Sequence, residues 1–261
     1  MRRQAALLGR LPSRLIRRPA ARAFGRLSAR DWGSTGPAIL VQTCDPFVYF
    51  DLLTASSRAN RAFCRRHGIA YAAFIGIKRG FHSWQAAFNR IVLLQEYLEQ
   101  GYEGWVLYLD ADAFVADPIW DVRAYLADKS EFAAVLTPGG ENVPDWAVND
   151  GVGFFNLRDP ACAQLIDAWY RAFMAVPDAA LRAASHWGLT TNDQDMLQAI
   201  LRDQTDLRER VFLESPALIN AREAQLVRQV LRAQEPDLQA RRRVIEREVA
   251  AVLAAMPATR G

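Results

Sequence analysis

From Pro37 onward, short apolar runs alternate with longer stretches whose apolar residues recur every three or four positions. Runs of the first kind read as buried strands, and stretches of the second as amphipathic helices. The pattern predicts a strand at 38–43, a helix at 47–66 and, after the Gly68 stop, a strand at 69–75. Residues 84–100 read as a helix with Phe88, Ile91, Leu94 and Leu98 on one face, ended by Gly101. The uncharged run Trp105-Val106-Leu107-Tyr108-Leu109 predicts a strand covered on both faces. Further strands are expected at 132–136, 151–157 and 211–214, a loop from Pro138 to Asp145, and a helix at 161–175. Thr191 and Gln194 have the spacing of a capping box that opens another helix. Residues 221–256 read as helical, interrupted by Pro236, with Ile245, Val249, Val252 and Met256 forming a stripe that docks on the domain. Repeated strand–helix units predict an α/β fold with a mostly parallel sheet and helices on both faces.

Composition narrows the class. With 51% hydrophobic residues among 261, the chain can bury a substantial core. No stretch approaches the roughly 18 consecutive apolar residues of a membrane-spanning helix. Cys44, Cys64 and Cys162 lack paired spacing, which predicts buried free thiols in a reducing compartment. The net charge of +3 is unevenly spread: residues 1–30 hold nine arginines and no acid, leaving 23 basic and 29 acidic residues in 31–261. Arginines interrupt any signal-like apolar core in this arm. Leu8, Leu11 and Leu15 fall opposite Arg3, Arg10, Arg14 and Arg17 on a helical wheel, although Pro12 breaks the helix interior. An arm on an anionic membrane surface, a solvated arm and a targeting segment all fit that pattern. The expected location is cytoplasmic, with peripheral attachment to the inner face of a membrane if the arm binds lipid.

The strand at 105–109 runs into Asp110-Ala111-Asp112. Ligands gather at the carboxyl ends of strands in open α/β sheets. An aspartate and its next-but-one neighbour there can share a hard cation, which keeps other positions for water or substrate phosphate. The pair therefore suggests a metal that holds a diphosphate. A turn with two solvated aspartates has the same spacing, so the flanking sequence decides.

Five blocks in order carry a resemblance: Pro37–Asp45 (PAILVQTCD), Trp84–Tyr97 (WQAAFNRIVLLQEY), Leu107–Phe114 (LYLDADAF), Asn149–Leu157 (NDGVGFFNL) and Asn192–Leu197 (NDQDML). Together they resemble the GT-A nucleotide-sugar glycosyltransferases, nearest to the fungal α-galactosyl- and mannosyltransferases and plant xyloglucan xylosyltransferases. The likeness implies a basic arm at 1–36, a Rossmann-like GT-A domain at 37–220 and a C-terminal helical extension at 221–261. It implies transfer of a sugar from a nucleoside-diphosphate sugar to a glycan or other hydroxyl acceptor, with retention of configuration. Mn²⁺ or Mg²⁺ would be held by Asp110 and Asp112; in the family the first aspartate often leans toward the ribose and the second ligates the metal more directly, roles the sequence does not divide between the two. Thr43 and Asp45 would lie at the nucleobase and ribose, although a turn cap explains Asp45 equally well. Arg90 matches a basic residue expected at the phosphates, and Asn149, Asp150 and Gly151 match a segment facing the donor sugar. Asp193 and Gln194 would stand at the transfer centre, and an inverting enzyme would draw its base from Asp193, Asp195 or Glu214.

The departures matter too. Relatives often complete the metal shell with a late histidine, but His67, His82 and His186 are the histidines here and none follows 186. Asn220 stands where that ligand is expected, and His186-Trp187 offers another metal or sugar contact. Trp146 is a further candidate for acceptor stacking. A haloacid-dehalogenase-type phosphatase also uses Asp-x-Asp, but Phe114 stands where it needs Thr or Val, and Lys129 is its sole downstream lysine. A non-catalytic sugar-nucleotide-binding or scaffold relative retains the motif. Nucleic-acid binding is not expected, because the arginine arm lacks interleaved aromatics over most of its length.

Overall fold

The computed structural model describes residues 37–256, so the arm at 1–36 lies outside the described residues. The strand containing the acidic motif sits mid-sheet. That strand, β3 (Trp105–Asp110), pairs in parallel with β1 (Ala38–Cys44), which pairs in parallel with β2 (Ala70–Ile75). On its other side β3 pairs antiparallel with β6 (Val148–Asn156). The sheet order is β2-β1-β3-β6-β5-β7, where β5 is Ala134–Pro138 and β7 is Val211–Leu213, and β6 runs against the other strands.

Alternation along β3 supplies both faces of the core. Val106 and Tyr108 face a cluster with Phe88, Ile91, Leu94, Trp169 and Phe173, from the 3-10 turn Ser83–Phe88 and the helices α2 (Asn89–Glu99) and α4 (Pro160–Met174). Trp105, Leu107 and Leu109 face the other, with Phe63 and Cys64 of α1 (Phe50–His67) and Val122 and Leu126 of α3 (Val122–Asp128). Each such fully buried side chain contributes about 1.5–3 kcal/mol. Helices thus cover both faces, as expected. All three cysteines are free and buried, and burial raises each thiol's pKa, that of Cys44 to about 12. Among the described residues, no helix is long and apolar enough to cross a membrane.

Several boundaries differ from expectation. The helix read at 84–100 begins as a 3-10 turn, which brings the Gln85 side chain onto the Leu181 carbonyl at 2.7 Å. α1 stops where predicted, with Gly68 in the left-handed region at φ 68°. The helices α5 (Asp178–Ala183), α6 (Asp193–Asp203) and α7 (Thr205–Arg208) follow α4. α6 is opened by Asn192 and Asp195, each side chain meeting the other's backbone N–H, not by Thr191 and Gln194. β6 starts at Val148, earlier than read, because Val148 and Asn149 pair with the end of β5 beyond a register shift.

The largest correction lies at 221–237, expected to be helical. A second sheet, ordered β4-β9-β8, joins β4 (Ala113–Val115), β9 (Val227–Gln229) and β8 (Ile219–Ala221). Its three-residue strands are specified by pairing with distant β4, which local periodicity does not record. Helix returns as α8 (Leu238–Ala255), capped by Asp237. Its Ile245, Val249 and Val252 pack on Leu52, Ala55 and Ala59 of α1, as the stripe predicts, while Met256 follows as the C-cap.

Candidate active site

The ends of β1 and β3 meet the beginning of antiparallel β6, and a cavity of about 730 Å³ opens there. That size suits a nucleotide-sized ligand. Thr43, Asp45, Arg90, Asp110, Asp112, Asn149, Asp150 and Gln194 all line it. The expected residues from five separate blocks are therefore brought together, Asp193 being the exception.

Asp110 closes β3, and Asp112 follows in the turn that leads into β4. A Gln229 side chain from β9 bridges the pair, its Nε2 donating to Asp110 Oδ2 at 3.1 Å and to Asp112 Oδ1 at 3.0 Å. Its Oε1 is buried with no hydrogen-bond partner. A Cβ on residue 151 would stand 2.6 Å from that Oε1 and 3.0 Å from Asp110 Oδ2, so a side chain there would displace Gln229 and Asp110 from this arrangement.

Arg90 lies at 3% exposure beneath this layer. Its Nη2 donates to Asp110 Oδ1 at 2.8 Å, its Nη1 lies 3.0 Å from Asp150 Oδ1 and donates to the Asp150 carbonyl, and its Nε lies 2.9 Å from Asp193 Oδ2. The Nε–H itself points to the Ala87 carbonyl, leaving the Asp193 contact an ion pair without an aligned hydrogen bond. Asp193 is fully buried behind Arg90, off the cavity wall. Arg90, expected at the phosphates, lines the cavity and is the counter-ion to three carboxylates.

Across the cavity, Arg241 Nη1 lies 3.4 Å from Asp112 Oδ2. Asp110, Asp112, Asp150 and Asp193 thus face two guanidinium groups, Arg90 and Arg241. With all four ionised, the formal charges of these six groups sum to −2, which one divalent cation would balance. Burial pushes the Asp110 carboxyl up to about 7, opposed by Arg90 and reinforced by Asp112. Burial also raises Asp112, against Gln229 and Arg241, and holds Asp150 well above the usual carboxylate range, against Arg90. Asp150 Oδ2 is buried without a partner.

Among the described residues, no group of three or more His, Cys, Asp or Glu side chains is arranged to hold a metal. The donor set that does converge is two carboxylates and one amide, all oxygen donors once the Gln229 amide is rotated. That set fits a hard cation whose remaining positions go to substrate and water.

Other expected groups are engaged by local hydrogen bonds or lie off the cavity. Both Asp45 oxygens accept backbone N–H groups from Phe47, Val48 and Tyr49, the turn-cap alternative. The Thr43 hydroxyl accepts from Asn89. Asn220, in the left-handed region at φ 68°, donates to Thr137 and Asn149, and His186 is exposed beside Ser185. Glu214 accepts from Tyr125, Asp195 caps α6, and Trp146 packs against the core. Lys129, which a phosphatase would need, bonds to Asp128 and is not on the cavity wall. Trp84 and Trp187 line the rim, edge to face at 5.6 Å. Sequence reasoning missed Gln229, Arg232, Arg241 and Tyr49: no motif marks them, and an arginine that enters a site looks like any other in a charged helix.

A glycosyltransferase involved in the glycosylation of the major capsid of PBCV-1 superposes on 81% of this chain and 100% of its own, with a TM-score of 0.58 at 14% identity. This chain has a glycosyltransferase fold. The bifunctional glycosyltransferase WbbM matches over 72% of this chain and 40% of its own at 14% identity, with a TM-score of 0.44. No protein-family model and no curated protein matches the sequence.

Proposed function

We propose that this chain is a metal-dependent glycosyltransferase that moves a sugar from a nucleoside-diphosphate sugar to a hydroxyl of a glycan or similar acceptor. The observation that carries the reading is the gathering of four buried carboxylates against two guanidiniums around Asp110 and Asp112, at the sheet end where the cavity opens. Asp110, Asp112 and the Gln229 amide oxygen would hold Mn²⁺ or Mg²⁺. When bound, the cation supplies Lewis-acid stabilisation of the departing diphosphate.

The chain's own groups do the rest. Arg90 fixes Asp110 and Asp150 in place through charge-assisted bonds. The unpartnered Asp150 Oδ2 leaves hydrogen-bonding capacity for a sugar hydroxyl, with Asn149 beside it and Gln194 on the same wall. Asp193 acts through Arg90 as a positioning residue. Trp84 and Trp187 offer an apolar face for an acceptor at the rim. The likeness to the α-galactosyl-, mannosyl- and xylosyltransferases favours retention of configuration, which the anomeric proton signals of the product would decide.

The test is donor hydrolysis over a panel of UDP- and GDP-sugars with Mn²⁺, then with chelator. Metal-dependent release of nucleoside diphosphate from at least one donor is expected. A second reading, a non-catalytic sugar-nucleotide-binding relative, is favoured by the protein counter-ions already on both motif aspartates. Metal-dependent binding without turnover on any donor or acceptor would select it.

A further inference from the structure

The cavity wall facing Asp112 comes from α8 and the segment that leads into it. Arg241, in the first turns of α8, is 2% exposed and lines the cavity. A buried guanidinium is costly unless its donors are matched. Here they are poorly matched: Asp112 Oδ2 is 3.4 Å away, the Tyr49 hydroxyl is 3.3 Å from Nη2, and Nε has no hydrogen-bond partner. Arg232, from the β9–α8 segment, donates to the same Tyr49 hydroxyl at 2.6 Å. Two guanidinium groups therefore converge on one neutral oxygen at the cavity wall. Their carboxylate neighbour, Asp112, is a member of the pair that would hold the cation.

We propose that Arg241, Arg232 and Tyr49 form a diphosphate cradle, so that α8 supplies part of the active site as well as a packing face. A group bearing two or three negative charges, lying between these guanidiniums and a cation on Asp110 and Asp112, would match the donors now left long or empty. Guanidinium forks suit phosphate oxygens, and the Tyr49 hydroxyl can donate its proton once both arginines turn to the ligand. The identity of the anion rests on the donor reading above; the anion site rests on the three side chains.

Calorimetry on the full chain with Mn²⁺ separates the two. The titrants are UDP, GDP, inorganic pyrophosphate and the nucleosides uridine and guanosine. Wild type is expected to bind pyrophosphate and one of the diphosphates. Arg241→Gln should weaken diphosphate binding at least tenfold, or about 1.4 kcal/mol, and Arg232→Gln should weaken it severalfold. Nucleoside binding should be unchanged in both. Arg232 is exposed, so its variant tests the cradle even if Arg241→Gln fails to fold. Pyrophosphate binding that depends on Arg232, without nucleotide binding, would keep the cradle and remove the donor reading. Diphosphate affinity unchanged in the folded variants, or no binding of either anion by wild type, would overturn the cradle.

Discussion

Asp112 joins the main sheet to the second one: its side chain meets Gln229 and Arg241, and its carbonyl accepts from Val230. Asp112→Asn is nearly isosteric but removes a full ligand charge from the proposed metal site. Turnover in the donor-hydrolysis assay should fall by orders of magnitude. The metal-free protein should melt close to wild type, because the lost charge is one whose burial was already unfavourable. Wild-type turnover by this variant would show that no essential cation rests on Asp112. The same imbalance sets a pH dependence. Asp110, Asp112 and Asp150 all titrate higher in the fold than in the unfolded chain, so between the ordinary carboxylate range near 4 and about 7 the folded state binds more protons. Stability without metal should therefore rise as pH falls from about 7 toward 4. Melts in chelator between pH 8 and pH 5 would measure it, with Asp110→Asn giving a shallower slope. A wild type that loses stability on acidification across that window would refute the excess of carboxylate charge.

At the level of elements, α8 links packing to chemistry, since the helix that carries Arg241 is held by the stripe of Ile245, Val249 and Val252 against α1. Ile245 is fully buried, and Ile245→Ala should cost about 2–5 kcal/mol of stability by denaturant unfolding, depending on how far the site collapses. Nucleoside-diphosphate affinity in the folded variant should also drop, because the helix would hold Arg241 less firmly. Strong, continuous signals made most of the fold legible: the uncharged run of β3, the glycine that ends α1, the apolar stripes of α2 and α8. Residues 219–229 were not, because a strand such as Val227-Arg228-Gln229 is stable through its partner β4 and has no period of its own. Gln229 entered the site with that strand. The five motif blocks located one wall of the cavity; the wall built by β9 and α8 depends on contacts that local patterning does not encode.

For the molecule as a whole, the cavity is closed by segments far apart in sequence: the turn after β1, the end of β3, the start of β6, and the β9–α8 segment. A ligand that touches all four ties both sheets and the C-terminal helix into one cooperative unit. It binds the folded state alone, and so stabilises that state by mass action, about 2.7 kcal/mol at a hundredfold excess over its Kd. For a domain of this size the melting temperature should rise by roughly 5–10 °C. The proposed division of labour makes the rise conditional. Without metal the nucleoside diphosphate meets the Asp110, Asp112 and Asp150 carboxylates with no cation between them, and without nucleotide the cation lacks the phosphate oxygens that complete its shell. Mn²⁺ with UDP or GDP together should therefore raise the melting temperature by more than the sum of each alone, and chelator should return it to the ligand-free value. Shifts that merely add, or a full shift by the nucleotide in chelator, would mean that metal and diphosphate do not share this site.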